Sequence, residues 1–108
     1  MFSVKILTAY PEMFPGVLGH SIIGKALREK KWFLETVNLH DFGYDERNSI
    51  DDIPFGGGPG MIIRPDVVEK AVNFIDKISN KPNHLIYMSP SGKTLKQNDL
   101  IEFSKIDQ

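Results

Sequence analysis

Cysteine is absent from all 108 residues. That absence excludes disulfides, thiolate metal sites and cysteine nucleophiles, and it fits a reducing compartment. A basic excess is absent too, since 13 Lys and Arg stand against 14 Asp and Glu for a net charge of −1. A dedicated nucleic-acid binder usually carries a strong positive balance. Any basic surface must therefore be local, or lie outside these residues. No run approaches the roughly 18 apolar residues that cross a bilayer. Met1–Tyr10 carries a single charge, Lys5, and lacks the small-residue cleavage pattern of a signal peptide. The expectation is a cytoplasmic protein with no membrane partner. Repeats and low-complexity tracts are also missing.

What is present is ordinary for a globular chain, with 41% hydrophobic and 25% charged residues. The length allows one domain with a modest core. Phe2–Thr8 is β-branched and apolar and reads as a buried strand, ended by Tyr10-Pro11 because a residue before proline favours extended backbone. Pro11 to Pro15 has room for a short helical turn. Ile22, Ile23, Ala26 and Leu27 recur at helical spacing, with Arg28, Lys30 and Lys31 suited to the negative end of the helix dipole. Leu34–Leu39 is a second strand. His40–Gly60 shows no periodicity, and a structureless stretch of that length is usually functional or disordered.

Pro65 suits the first turn of a helix. Its apolar face is Val67, Val68, Ala71, Val72, Ile75 and Ile78, and Asn80 and Pro82 stop it. His84–Met88 is a continuous apolar run, the mark of a strand buried on both faces. Ser89-Pro90-Ser91-Gly92 is a turn. Thr94 and Gln97 have capping-box spacing and open a last helix containing Leu100, Ile101 and Phe103. Strands alternating with helices predict an α/β fold, a parallel sheet flanked by helices. Ligands in such folds sit beyond the carboxyl ends of the strands. That rule directs attention to Tyr10-Pro11, the loop before Gly60, and Ser89–Gly92.

The sharpest motif is Gly56-Gly57-Gly58-Pro59-Gly60. Glycine tolerates positive φ and lets a ligand approach the backbone, while Pro59 argues for a defined turn rather than a flexible tip. Backbone groups around Tyr87–Gly92 suit an adenine edge, although an ordinary strand-to-helix turn has the same look. Gly92-Lys93-Thr94 imitates the end of a P-loop. The full motif needs a glycine where Tyr87 stands, so a P-loop is rejected. His20, His40 and His84 lack metal-ligand spacing, and no metal site is assigned. His40-Asp41 would be an acid–base pair only if the two side chains met, and neighbours in a strand point to opposite faces. The acidic stretch from Asp41 to Asp52 reads as solvated surface, with Arg47 available for local pairing.

Three segments in this order resemble the N-terminal part of bacterial tRNA (guanine-N1)-methyltransferases. They are Pro11-Glu12-Met13-Phe14, then Asp51-Asp52 ahead of Phe55-Gly56-Gly57-Gly58-Pro59-Gly60-Met61, then Tyr87-Met88-Ser89-Pro90-Ser91-Gly92. The resemblance covers essentially the whole chain. It implies a SPOUT-class parallel α/β sheet with a C-terminal trefoil knot, and a homodimer with active sites at the subunit interface. It implies methyl transfer from S-adenosylmethionine to N1 of the tRNA guanine at position 37, next to the anticodon.

The same resemblance assigns Tyr87, Met88, Ser89, Pro90 and Gly92 to the cofactor. It assigns Gly57, Gly58, Pro59, Gly60 and Asp52 to the substrate side, and expects the two segments to converge on one cleft. Asp51 and Asp52 either order the glycine loop or face the dimer partner. The family pattern continues with a stretch resembling Gly-Arg-Tyr-Glu-Gly, a second glycine-containing loop, an aspartate that accepts the N1 proton and an assisting arginine. All of these fall beyond Gln108. Residues 1–108 are accordingly expected to be one partial domain lacking the knot region and the C-terminal tRNA-binding domain. No catalytic residue is assigned within it, the general base being expected beyond Gln108. The fragment is expected to be inactive and only marginally stable alone, with apolar surface uncovered around Ile86 and Met88. The alternatives are a different nucleotide-binding α/β enzyme using Gly56–Gly60, and a non-catalytic interaction module.

Overall fold

The computed structural model describes residues 2–107. Strand β1, Ser3–Thr8, pairs in parallel with β2, Phe33–Asn38, in the register Ser3↔Phe33 through Thr8↔Asn38. Parallel neighbours require a crossover. Here it is made by 3₁₀ turns at Pro11–Met13 and Gly16–Gly19 followed by helix α1, Ser21–Arg28. The parallel α/β class expected from the alternation of elements is the class observed. β1 is half-buried along its length rather than fully buried, because the two-stranded sheet leaves much of each face open.

The crossover is fastened by backbone contact more than by the apolar stripe on α1. Ile22 and Ile23 are exposed, and the one buried residue of the helix is Gly24. A Cβ at Gly24 would overlap the backbone of Gly19, so glycine is needed for that close approach. Arg28 and Trp32 side chains donate to the Gly19 and Ile23 carbonyls at 3.0 and 3.1 Å. α1 closes in a Schellman arrangement: Lys31 N–H reaches Ala26 O at 2.9 Å and Lys30 N–H reaches Leu27 O at 3.1 Å. Lys30 sits at φ 60°, where glycine is usual.

The stretch from His40 to Gly60, read as structureless, is instead partly ordered. Leu39–Phe42 forms a 3₁₀ turn, and β3, Asp51–Asp52, pairs antiparallel with β4, Ile62–Ile63. Local pattern could not reveal this, because two-residue strands carry no periodicity. Helix α2, Pro65–Ile78, follows with Pro65 in its first turn. Its buried positions, Val67, Ala71 and Ile75, are a narrower stripe than expected, and Val68 and Ile78 face solvent. Leu39, Ile50, Val67 and Ala71 form the core, with Leu7, Ala9 and Phe42 packed on it. That core sits at the carboxyl end of β1 and includes Ile50, the residue before β3.

The expected buried strand His84–Met88 is corrected. Residues 82–89 form neither helix nor strand and join no ladder, and none of residues 84–88 makes a backbone hydrogen bond among the described residues. An apolar run becomes a strand only where a neighbour accepts its N–H and C=O groups. Helix α3, Gln97–Phe103, forms as expected, but its cap differs. Asp99, not Thr94, does the work: its carboxylate accepts from Lys96 N–H at 2.9 Å and from Lys93 Nζ at 3.0 Å. The radius of gyration is 16.0 Å, above the roughly 13 Å of a compact domain of this length, because the segment after α2 packs loosely.

Candidate functional site

The glycine loop is an exposed arch with a built base. Its ends are closed by the pairs Asp51↔Ile63 and Asp52↔Ile62. Gly57 N–H donates to Pro54 O at 3.0 Å, and the intervening Gly56 has φ 83°, the positive value a type II turn needs at its third residue. The motif thus begins in a defined turn that uses Gly56, while Pro59 lies outside that turn. Above the base the loop is open. A Cβ added at Gly56, Gly57, Gly58 or Gly60 would meet no atom within 4 Å, and Phe55 is 91% exposed.

Arg64, which the sequence reading did not single out, organises the base. Its N–H donates to Ile50 O at 2.8 Å. Its guanidinium grips Asp66 with two bonds, Nε to Oδ1 at 2.9 Å and Nη2 to Oδ2 at 3.1 Å. The remaining arm, Nη1, reaches Asp52 Oδ2 at 3.1 Å. The plane lies over the Tyr44 ring, 4.1 Å from its centroid, and the Tyr44 hydroxyl donates to Asp51 O at 3.3 Å. The Arg64 hydrogen bonds hold the Asp66 carboxyl below the usual aspartate range, against a smaller opposing effect of desolvation. Asp66 and then Asp52 hold the guanidinium proton more firmly than in a free arginine. Asp52 Oδ2 meets Arg64, and its Oδ1 accepts from Ile53 N–H at 2.7 Å.

A cavity of about 340 Å³ opens beside this base, lined by Tyr10, His40, Arg47, Asp51 and Ile63 among others. It lies beyond the carboxyl end of β1, where the α/β rule directed attention. His40 belongs to a 3₁₀ turn rather than a strand, and its Nδ1 lies 2.9 Å from Asn48 O. Arg47 and Ser49 do pair locally with Asp45, but through backbone N–H groups, at 3.0 and 2.9 Å. Those bonds, Ser49 first, lower the Asp45 pKa.

The second segment is held at its ends alone. The His84 ring packs on Phe103 at 5.4 Å, and Gly92 N–H donates to Ser89 O at 3.1 Å, closing the expected turn. Ser91 N–H and Oγ both lie within reach of Ser89 Oγ, at 3.3 and 3.0 Å. Between them Tyr87 and Met88 are 87% and 84% exposed. Among the described residues, no hydrogen bond joins Gly56–Gly60 to Tyr87–Gly92, and the cavity beside the base is lined by neither segment. No described group of three or more His, Asp or Glu side chains is arranged to hold a metal, and no described helix is long and apolar enough to cross a membrane.

Comparison with known proteins supplies what this geometry leaves open. Residues 2–108 match the family described as tRNA (Guanine-1)-methyltransferase TrmD. A tRNA (guanine-N(1)-)-methyltransferase of Wolbachia pipientis subsp. Culex pipiens is 48% identical over 97% of this chain and 45% of its own length. One from Agrobacterium fabrum is 43% identical over 98% of this chain and 45% of its own. The crystal structure of tRNA (m1G37) methyltransferase from Aquifex aeolicus superposes with a TM-score of 0.82 at 27% identity, across 98% of this chain and 47% of that one. The chain therefore spans about half the length of the relatives it matches.

Proposed function

This chain belongs to the tRNA (guanine-1)-methyltransferase family, and from that premise we propose that it forms the N-terminal part of an enzyme that methylates N1 of guanine 37 in tRNA. The observation that carries the reading is the family match across residues 2–108. S-adenosylmethionine is the methyl donor in this proposal, and the complete enzyme is a cytoplasmic homodimer. The donor supplies an electrophilic methyl group; the chain's own residues bind and orient.

The segment Tyr87–Gly92 fits the adenosyl part, because among the described residues the backbone N–H and C=O groups of Tyr87 and Met88 make no backbone hydrogen bond. Such groups read an adenine edge by directed hydrogen bonds. Gly57, Gly58, Pro59 and Gly60 fit close approach of a planar base, since no side chain stands over them. Asp52 acts on that side by fixing the loop. The two segments converge to make one wall of a cleft in the complete protein.

Guanine N1 carries a proton and is a poor nucleophile until a base removes it with the ring held in line. Within residues 2–107 the glycine loop and the adenosyl segment present no carboxylate to one another. We accordingly assign no general base here, and residues 1–108 alone are inactive in this reading. The test is methyl transfer from tritiated S-adenosylmethionine to unmodified tRNA. The expected result is turnover by the complete protein and none by residues 1–108. Turnover by this chain alone would overturn the division of labour, and failure of the complete protein would overturn the assignment. Calorimetry with S-adenosylmethionine against nucleoside triphosphates separates it from another nucleotide-binding enzyme.

A further inference from the structure

We propose that Arg64 is the positioning residue of the glycine loop, acting through Asp52 while braced on Asp66 and Tyr44. The starting observation is a mismatch between load and support. Nine residues, 53 to 61, arch between Asp52 and Ile62, and the ladder beneath them has two residue pairs. Hairpins held by so short a ladder are marginal in water. Three of the glycines in the arch adopt positive φ, at 83°, 76° and 87° for Gly56, Gly57 and Gly60, and ordering glycine costs more backbone entropy than ordering any other residue.

Arg64 supplies the missing support from a rigid place. It immediately precedes α2, whose Val67 is fully buried in the core. Asp66, in the first turn of that helix, takes both oxygens to the guanidinium and fixes its plane. One arm is then left pointing across the hairpin to Asp52 at 3.1 Å. The backbone N–H to Ile50 O bond adds a rung on the same side, and Tyr44 closes the other side by stacking on Arg64 and donating to Asp51 O. The path runs unbroken from core to α2 to Asp66 to Arg64 to Asp52 to loop.

Geometry as well as charge is what this arrangement uses. A planar fork can serve two carboxylates and an aromatic face at once, whereas lysine offers a point charge. The side chains of Arg64 and Asp52 remain 32% and 48% exposed. Pairs this wet contribute little to global stability, so the contacts matter for where the loop is held rather than for whether the chain folds. The proposal rests on the methyltransferase reading only for what the loop is held in place to do.

The experiment is ¹⁵N relaxation on the complete protein, comparing the amides of Gly56, Gly57, Gly58 and Gly60 with those of Val67, Ala71 and Ile75. The parent loop is expected near the rigid order parameter of about 0.85, and Arg64→Gln is expected to drop it below about 0.6. Arg64→Lys should recover only part of the difference. Asp52→Asn should reproduce the loss, and the Arg64→Gln/Asp52→Asn double variant should be no looser than Arg64→Gln, as for two ends of one interaction. The α2 amides should stay unchanged throughout. A loop already mobile in the parent, a loop indifferent to Arg64, or loosening shared equally by α2 would each overturn the proposal. If Arg64→Gln does not fold, Arg64→Lys and Asp52→Asn decide it by the same readout. Because loop order is read without turnover, a complete protein that fails to methylate tRNA would sink the functional reading and leave this one standing.

Discussion

The glycine loop and the Tyr87–Gly92 segment, which we propose share one cleft, are held in opposite ways. The glycine loop contains little that packs, and its order comes from its base, where a ladder, a bidentate ion pair and a stacked tyrosine meet. The Leu85–Met88 segment is rich in side chains that ought to pack, but Leu85, Ile86, Tyr87 and Met88 all stand exposed. Apolar content thus says little about local order. A segment is fixed where its backbone polar groups and side chains have partners; the glycine loop has them at its base, whereas residues 84–88 make no backbone hydrogen bond among the described residues.

The largest expected effect contrasts the two regions directly. Leu39→Ala removes a core side chain and should cost about 3 kcal/mol by the usual large-to-small loss. Met88→Ala in the exposed segment should cost less than about 0.5 kcal/mol. Urea unfolding midpoints of the two variants decide it. Comparable losses would mean that Met88 is packed in solution and that the contrast between the segments is wrong.

Gly24→Ala comes next, at about 2 kcal/mol, because the new methyl meets the Gly19 backbone, which cannot give way as a flexible side chain does. It tests whether the backbone contact, and not the exposed Ile22, holds the crossover. Ile22→Ala should be nearly silent in the same unfolding assay. Smaller and of opposite sign is Lys30→Gly. It places glycine at φ 60° in the Schellman turn and should stabilise by about 0.5–1 kcal/mol, read as a raised melting temperature. Loss of stability there would show that the Lys30 side chain contributes more than its backbone strain costs.

The last prediction concerns acid. Asp45, Asp66 and Asp99 all have pKa values lowered from the ordinary 3.8. The leading causes are the Ser49 backbone N–H, the Arg64 guanidinium and the Lys93 ammonium, respectively. A carboxylate with a depressed folded pKa contributes stability above its unfolded value, and that contribution is lost as pH falls through the folded value. These three contacts should therefore persist at pH 5 and fail only below 3.8. A carboxyl ¹³C titration by NMR would show it. Titration of any of the three above 3.8 would break the assignment of its partner.

Much of the fold was legible locally. β1, α1, β2 and α2 announce themselves through β-branched runs, helical spacing, and the proline at the start of α2. The turn at Ser89–Gly92 is equally plain from its residues. The hub at Arg64 was not legible, since Arg64→Asp52 spans twelve positions and exists only once β3 and β4 have met. Even its nearer partner, Asp66, gives no hint of a bidentate grip without the backbone geometry at the start of α2. A basic residue ahead of a helix looks like solvated surface until the fold brings a carboxylate across to it.

Spacing and residue type along the chain were enough to specify the parallel α/β class, the glycine turn and the start of α2 at Pro65, because each depends on a few neighbouring dihedrals and side-chain periodicities. Partnership across distance was decided elsewhere. Whether Leu85–Met88 becomes a paired strand, whether α1 is fastened through Gly24 or its isoleucines, and which arginine steadies the glycine arch all depend on atoms brought together from separate parts of the chain. A hydrogen bond or a van der Waals contact has an energy only when both of its members are present at contact distance.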